Sequence, residues 1–113
     1  MQQTKTNYQG ETINKEELLE KIKKNDSNVQ IVNVLSPDYY HMGAIQGSLK
    51  IPLDELEERL NELDKSKEVI TYCANTQCSA SRSAAELLAE KGFNVRAYEG
   101  GMKEWNEAGF PKE

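Results

Sequence analysis

The sequence predicts an α/β domain: a central, mostly parallel sheet of about five strands with helices on both faces. Three observations point there. Two runs rich in β-branched residues, "VQIVNVL" (29–35) and "EVITY" (68–72), are apolar at nearly every position, as strands buried on both faces must be. Segments with helical spacing of apolar residues alternate with these runs, the order that builds a parallel sheet under helices. The length, 113 residues, suits one core and not two.

Residues 1–12 are polar and without periodicity, and are expected to form a flexible N-terminal arm ahead of a folded domain over 13–113. From Asn14, "NKEELLEKIKKND" reads as a short amphipathic helix: Asn14 is the cap, Glu17 stands three residues on, and Leu18, Leu19 and Ile22 share a face. Lys21, Lys23 and Lys24 suit the negative end of its dipole. After the 29–35 strand, "SPDYYHMGAIQGS" carries Pro37, Gly43 and Gly47 and predicts a loop with one helical turn, leading to a short strand at "LKIP". "LDELEERLNEL" sets Leu53, Leu56, Leu60 and Leu63 at helical spacing, which predicts one helix over 53–63. After the 68–72 strand, residues 79–91 predict a helix that Gly92 terminates, and "NVRAY" a further strand. Gly100 and Gly101 make a turn before a last short helix, "MKEWNEAG", stopped by Gly109 and Pro111.

Bulk properties narrow the function. Hydrophobic residues are 37% and charged residues 29% of the chain, consistent with a folded globule. The formal net charge of −5 disfavours nucleic acid and anionic membranes as partners, since both ask for a surplus of Lys and Arg on one face. No window approaches a membrane span and the first residues lack the apolar centre of a secretory signal, so the default expectation is a cytoplasmic protein. In a reducing compartment its two cysteines are expected to be thiols. A metal site is not expected, because structural zinc asks for four N or S ligands and the single histidine, His41, has no evident partner. No cofactor is implied.

Those two cysteines define the chemistry. Cys73 follows the 68–72 strand directly, and the small, polar loop "ANTQCSAS" carries the second thiol, Cys78, into an Ala-rich helix. In parallel α/β sheets ligands gather at the carboxyl ends of strands, where a loop meets the N-terminus of the next helix. Amide N–H groups there converge on an anion without any side-chain charge. A thiol in that field has its pKa lowered from about 8.5 toward neutrality, and only the thiolate is nucleophilic. The plainer alternatives are an inert strand-end thiol at Cys73 and a merely small residue at Cys78. Ser79, Ser81 and Ser83 are candidate caps or sulfur hydrogen-bond donors. Tyr39 or Tyr40 is a candidate pocket wall, and Trp105 belongs to the core.

At these residues the chain resembles the single-domain rhodaneses, sulfurtransferases that hold a cysteine persulfide in a cradle-like loop. "IVNVLSPDYYHMGAIQGSLKIPLDEL" is similar to the family's first signature, and "GFNVRAYEGGMKEWNEAGFP" to its closing one, with a Gly-Gly turn, a helix Trp and a Gly-x-Pro end. The resemblance implies that Cys73 is the nucleophile; Cys78, which the usual family loop lacks, is a candidate second catalytic thiol, able to attack a persulfide on Cys73 or to carry the persulfide itself. The resemblance further implies that backbone N–H groups of the loop from Ala74 through Ser79, with Asn75, Thr76 and Gln77 between them, stabilise the persulfide. Ala80 and Arg82 are further substrate-binding candidates, Arg82 as a guide for anionic donors or, on the plainer reading, a solvated charge on an exposed helix face. The resemblance also implies a small sulfur-containing donor (polysulfide, low-molecular-weight persulfide or thiosulfate) and a thiol or cyanide acceptor, with a protein thiol or a thioredoxin-type reductant as the protein partner.

The departures from the family pattern are specific. Cys78 occupies the sixth loop position, where the family usually has a basic residue, and this weakens the case for dianionic thiosulfate as donor. Asn33, Leu35 and Ala44 replace an Asp, an Arg and a His of the first signature, and Ala84 and Ala85 fall about two places later than the common spacing, implying either a wider cradle or a different first turn. Cys78 also opens a dithiol/disulfide redox role as the alternative. A phosphatase is disfavoured, because the Cys-x5-Arg pairing is absent and an arginine arrives only at Arg82. An inactive interaction module is the remaining alternative.

Overall fold

A computed structural model describes residues 10–75 and 78–113. Helix α1 spans Lys15–Lys23, strand β1 Val29–Asn33, strand β2 Leu49–Lys50, helix α2 Leu53–Leu56, strand β3 Glu68–Tyr72, helix α3 Ala80–Glu90, strand β4 Asn94–Tyr98 and helix α4 Gly101–Ala108; short 3-10 segments occupy Pro37–Met42 and Glu57–Glu62. The four strands form one sheet in the order β2-β1-β3-β4, with every pairing parallel. About five strands were expected from the sequence. At the outer edge of β4, where a fifth would lie, a single parallel bridge joins Thr12 to Ala97. The anticipated arm, 1–12, lies mostly outside the described residues, and its last part is paired: the Ala97 N–H donates to the Glu11 carbonyl at 3.1 Å.

Register assigns the helices to the two faces. In parallel pairs, residues in register point the same way and neighbours along a strand alternate. Ile31 pairs with Ile70 and Ile70 with Arg96, and Arg96 donates to Glu17 of α1 at 2.9 Å. Tyr98, two residues on, donates to Glu104 of α4 at 2.7 Å and packs edge-on against Trp105. Helices α1 and α4 therefore cover this face. Thr71 points the other way and its Oγ1 donates to the Ser81 carbonyl at 2.8 Å, so α3 covers the opposite face. With both faces covered, Val69 through Tyr72 are all buried, which explains why β3 is apolar throughout rather than alternating.

Local sequence accounts for most boundaries. The Asn14 side chain caps α1 by accepting the Glu17 N–H at 2.8 Å. Helix α3 ends at Gly92, whose φ of +91° suits glycine. Two expectations are corrected. The strand predicted over 29–35 stops at Asn33, because the Asn33 Oδ1 accepts the Leu35 N–H at 2.9 Å and turns the chain out of the ladder. The single helix predicted over 53–63 is one α turn followed by a tighter 3-10 segment with a kink at Arg59 (φ −117°). The leucine stripe still buries Leu56 and Leu63. Burial rather than helix propensity holds this segment, and its end is clamped from a distance by Gln30, which both donates to and accepts from the Asp64 backbone at 2.9 Å.

Arg96 is the main polar tie between sheet and helix. Its side chain is 14% exposed and lies 2.7 Å from Glu68 and 2.9 Å from Glu17. The Arg96 hydrogen bond foremost holds the Glu17 carboxyl below the ordinary glutamate range; desolvation opposes it, and the charges of Arg96 and Lys21 add smaller downward contributions. A carboxyl depressed in this way adds stability that is complete above its unfolded pKa and is lost as pH falls through the folded one. We therefore expect Arg96→Met to cost about 1–2 kcal/mol in urea unfolding at neutral pH. The variant should also lose less stability than the parent between neutral pH and the acid limb below the usual glutamate range.

Candidate active site

The four parallel strands present their carboxyl ends at one edge, and Cys73 lies at that edge immediately after β3. It is 1% exposed. Its position is set from the far side of the sheet: the N–H groups of Met102 and Lys103, in the first turn of α4, donate to the carbonyls of Cys73 and Ala74 at 2.9 and 2.8 Å. This close approach requires a glycine at 101, where φ is +70° and a Cβ would stand 2.7 Å from the Cys73 carbonyl oxygen and the Ala74 carbonyl carbon.

Cys78, the second thiol, is half-buried and joined to Cys73 as a disulfide, with the two Cα atoms 6.3 Å apart. Its N–H donates to the Asn75 carbonyl at 3.1 Å, so this amide is committed within the loop. Ala74 is buried, Asn75 half-buried and Ser79 exposed. Thr76 and Gln77 lie outside the described residues. The Ser79 side chain makes no capping hydrogen bond to α3, and the first N–H groups of an α-helix have no acceptor within the helix itself. These amides face the same end of the sheet as the two sulfurs, and their partial positive charge favours an anion there.

The sulfurs open onto a cleft of about 410 Å³ at the sheet edge. Ala80 of α3 lines it with both cysteines, and its walls are Val34, Leu35, Pro52, Leu53 and Tyr39. Sequence reading anticipated a tyrosine wall, but not the aliphatic ones, which come from the segments leaving β1 and β2. The rule that ligands sit beyond strand carboxyl ends was the available signal for them. Asp54 is the one formally charged residue among the lining residues described. Arg82, a substrate-binding candidate, lies 3.8 Å from Glu99 and is not among the described residues that line the cleft.

Behind the cleft, the loop between β1 and β2 is pinned by Tyr72, whose Oη accepts the Ile45 N–H at 3.0 Å and lies 2.8 Å from Ser48 Oγ. Burial foremost raises the Tyr72 pKa, so the phenol stays neutral. Among the described residues no cluster of His, Cys, Asp and Glu is placed to hold a metal, and no helix is long and apolar enough to cross a membrane.

Comparison with known proteins agrees with this geometry. A family model described as Rhodanese-like domain matches residues 14–108. The chain is 32% identical over 101 residues to the HTH-type transcriptional regulator Rv0324 of Mycobacterium tuberculosis, covering 89% of this chain but only 44% of that protein. It is 33% identical over 90 residues to the thiosulfate sulfurtransferase GlpE of Coxiella burnetii, covering 79% of this chain and 80% of that protein. The crystal structure of the BH2092 protein from Bacillus halodurans superposes with a TM-score of 0.85 at 28% identity, covering 91% of this chain and 76% of that one.

The clamp on Cys73 is directly testable. Gly101→Ala forces a side chain into the Cys73–Ala74 backbone at a positive φ, and is expected to cost about 2 kcal/mol or more in denaturant unfolding. Gly109→Ala, where φ is also +70° but nothing stands within 4 Å of the added carbon, should cost about 1 kcal/mol.

Proposed function

Because the chain belongs to the rhodanese-like domain family, we propose that it is a sulfurtransferase in which Cys73 carries sulfane sulfur as a persulfide. The observation that carries this reading is the placement of a cysteine at the carboxyl end of the central strand, between an open cleft and the N-terminus of α3. With the cysteine pair reduced, the Cys73 thiolate attacks the outer sulfur of a donor; a new S–S bond forms, the donor's S–S bond breaks, and the leaving group departs with the electron pair. A thiolate or cyanide acceptor then attacks the outer sulfur of the persulfide and returns Cys73 as thiolate. The two half-reactions share one covalent intermediate, so ping-pong kinetics follow. Polysulfide, a low-molecular-weight persulfide and thiosulfate are the candidate donors. Amides of the loop and of the first turn of α3 stabilise the anionic sulfur.

A second reading is favoured by the Cys73–Cys78 bond itself. The Cys78 thiolate attacks the inner sulfur of the Cys73 persulfide, forms the disulfide and expels HS⁻; a thioredoxin-type dithiol then reopens the pair. In that cycle Cys78 is the point of entry for the reductant, because it is half-buried while Cys73 is enclosed. Its attack leaves Cys73 as the departing thiolate.

Peptide mapping by mass spectrometry after a single exposure of the reduced protein to excess polysulfide separates these roles. Cys78→Ser is expected to accumulate an adduct of about 32 Da, one sulfur atom, on the Cys73 peptide. Cys73→Ser should carry none, and the parent protein should release sulfide and end as the internal disulfide. An adduct confined to the Cys78 peptide would reverse the assignment.

A further inference from the structure

The cleft that Cys73 serves is built mainly of hydrocarbon. Val34, Leu35, Pro52 and Leu53 supply aliphatic surface and Tyr39 an aromatic wall, and the charged residue described among the lining ones is an acid, Asp54. The sixth loop position is a neutral thiol, Cys78, and Arg82, 3.8 Å from Glu99, is not among the described residues that line the cleft. A dianion entering here meets a carboxylate at the rim and no side-chain counter-charge among the described lining residues, while it gives up water that hydrocarbon does not replace. The space, about 410 Å³, is that of a site for a small organic body and is much larger than an inorganic oxyanion fills.

We propose that this cleft selects donors whose sulfane sulfur is carried on an uncharged apolar body, alkyl or aryl persulfides R–S–S–H, over thiosulfate. The inference rests on the reading of Cys73 as the sulfur-accepting thiolate and names the substrate class of that same site. The apolar group R lies against Leu35 and Leu53 with its outer sulfur toward Cys73. In the transfer, Cys73–S⁻ attacks the outer sulfur of R–S–S–H, the new bond gives Cys73–S–S–H, and the donor's S–S bond breaks to release R–S⁻ with the bonding pair. No electron donor or acceptor beyond the two sulfur compounds is needed.

The test is single-turnover sulfur loading of the reduced protein, read by mass spectrometry, with thiosulfate and with methyl, propyl and pentyl persulfides at equal concentration. Each rate is divided by the rate of free cysteine with the same donor, which removes intrinsic reactivity. The normalised rates are expected to rise about threefold for each added methylene until the cleft is filled, with thiosulfate at least about tenfold below the pentyl compound. Leu53→Asn should flatten the series. Asp54→Lys, at an exposed position, should raise the thiosulfate rate severalfold and leave the slope with chain length in place. A flat alkyl series with thiosulfate equal or faster would overturn the selectivity and leave sulfur transfer standing. Absence of an adduct from every donor would overturn the sulfurtransferase reading and this one with it.

Discussion

Two hydrogen bonds hold the site in register with the fold: the N–H groups of Met102 and Lys103 on the carbonyls of Cys73 and Ala74. They tie the exit of the central strand to the first turn of α4, and they exist because residue 101 has no side chain. Helix α4 is in turn anchored by Trp105, which is fully buried and donates to the Pro111 carbonyl at 2.7 Å. A shift of the C-terminal helix therefore becomes a shift of the cysteine. Cys78, five positions after Cys73, is bonded to it.

At the sulfur two influences compete. Hydrocarbon walls and near-complete burial favour a neutral thiol, whereas the partial positive charge at the start of α3 favours a thiolate. The loop adds no fixed cation among its described residues, and Arg82 lies 3.8 Å from Glu99. What charge stabilisation there is comes from backbone dipoles, which act at short range and need no ordered counter-ion. A second thiol in place of a basic residue alters the chemistry open to the site. It cannot neutralise an anionic donor, but it can close on the first sulfur and end the cycle as a disulfide.

Much of this architecture was legible in the sequence. The apolar run before Cys73, the Asn14 cap, the glycine stops and the order of strands and helices are local signals, and local physics decides them. What was hidden is long-range. Nothing near Arg82 announces Glu99, and nothing near Asp64 announces the Gln30 amide that ends the leucine segment. The truncation of β1 hinges on whether the Asn33 side chain turns back on its own backbone or faces outward, a choice made by the packing around it. The cleft walls were missed for the same reason: Leu35 and Leu53 read as core residues in sequence and become cleft walls only where the segments leaving β1 and β2 lie beside the end of β3. The fold was therefore predictable from pattern, whereas the polarity of the site was not.

The central claim is that main-chain amides at the start of α3 prevail over the hydrocarbon around Cys73 and keep its reduced sulfur ionised near neutrality. The pH dependence of alkylation in Cys78→Ser, where Cys73 is the remaining thiol, measures this directly. The account predicts a midpoint well below the value of about 8.5 for a free cysteine, with appreciable reactivity at pH 7. A midpoint at or above that of free cysteine would contradict it.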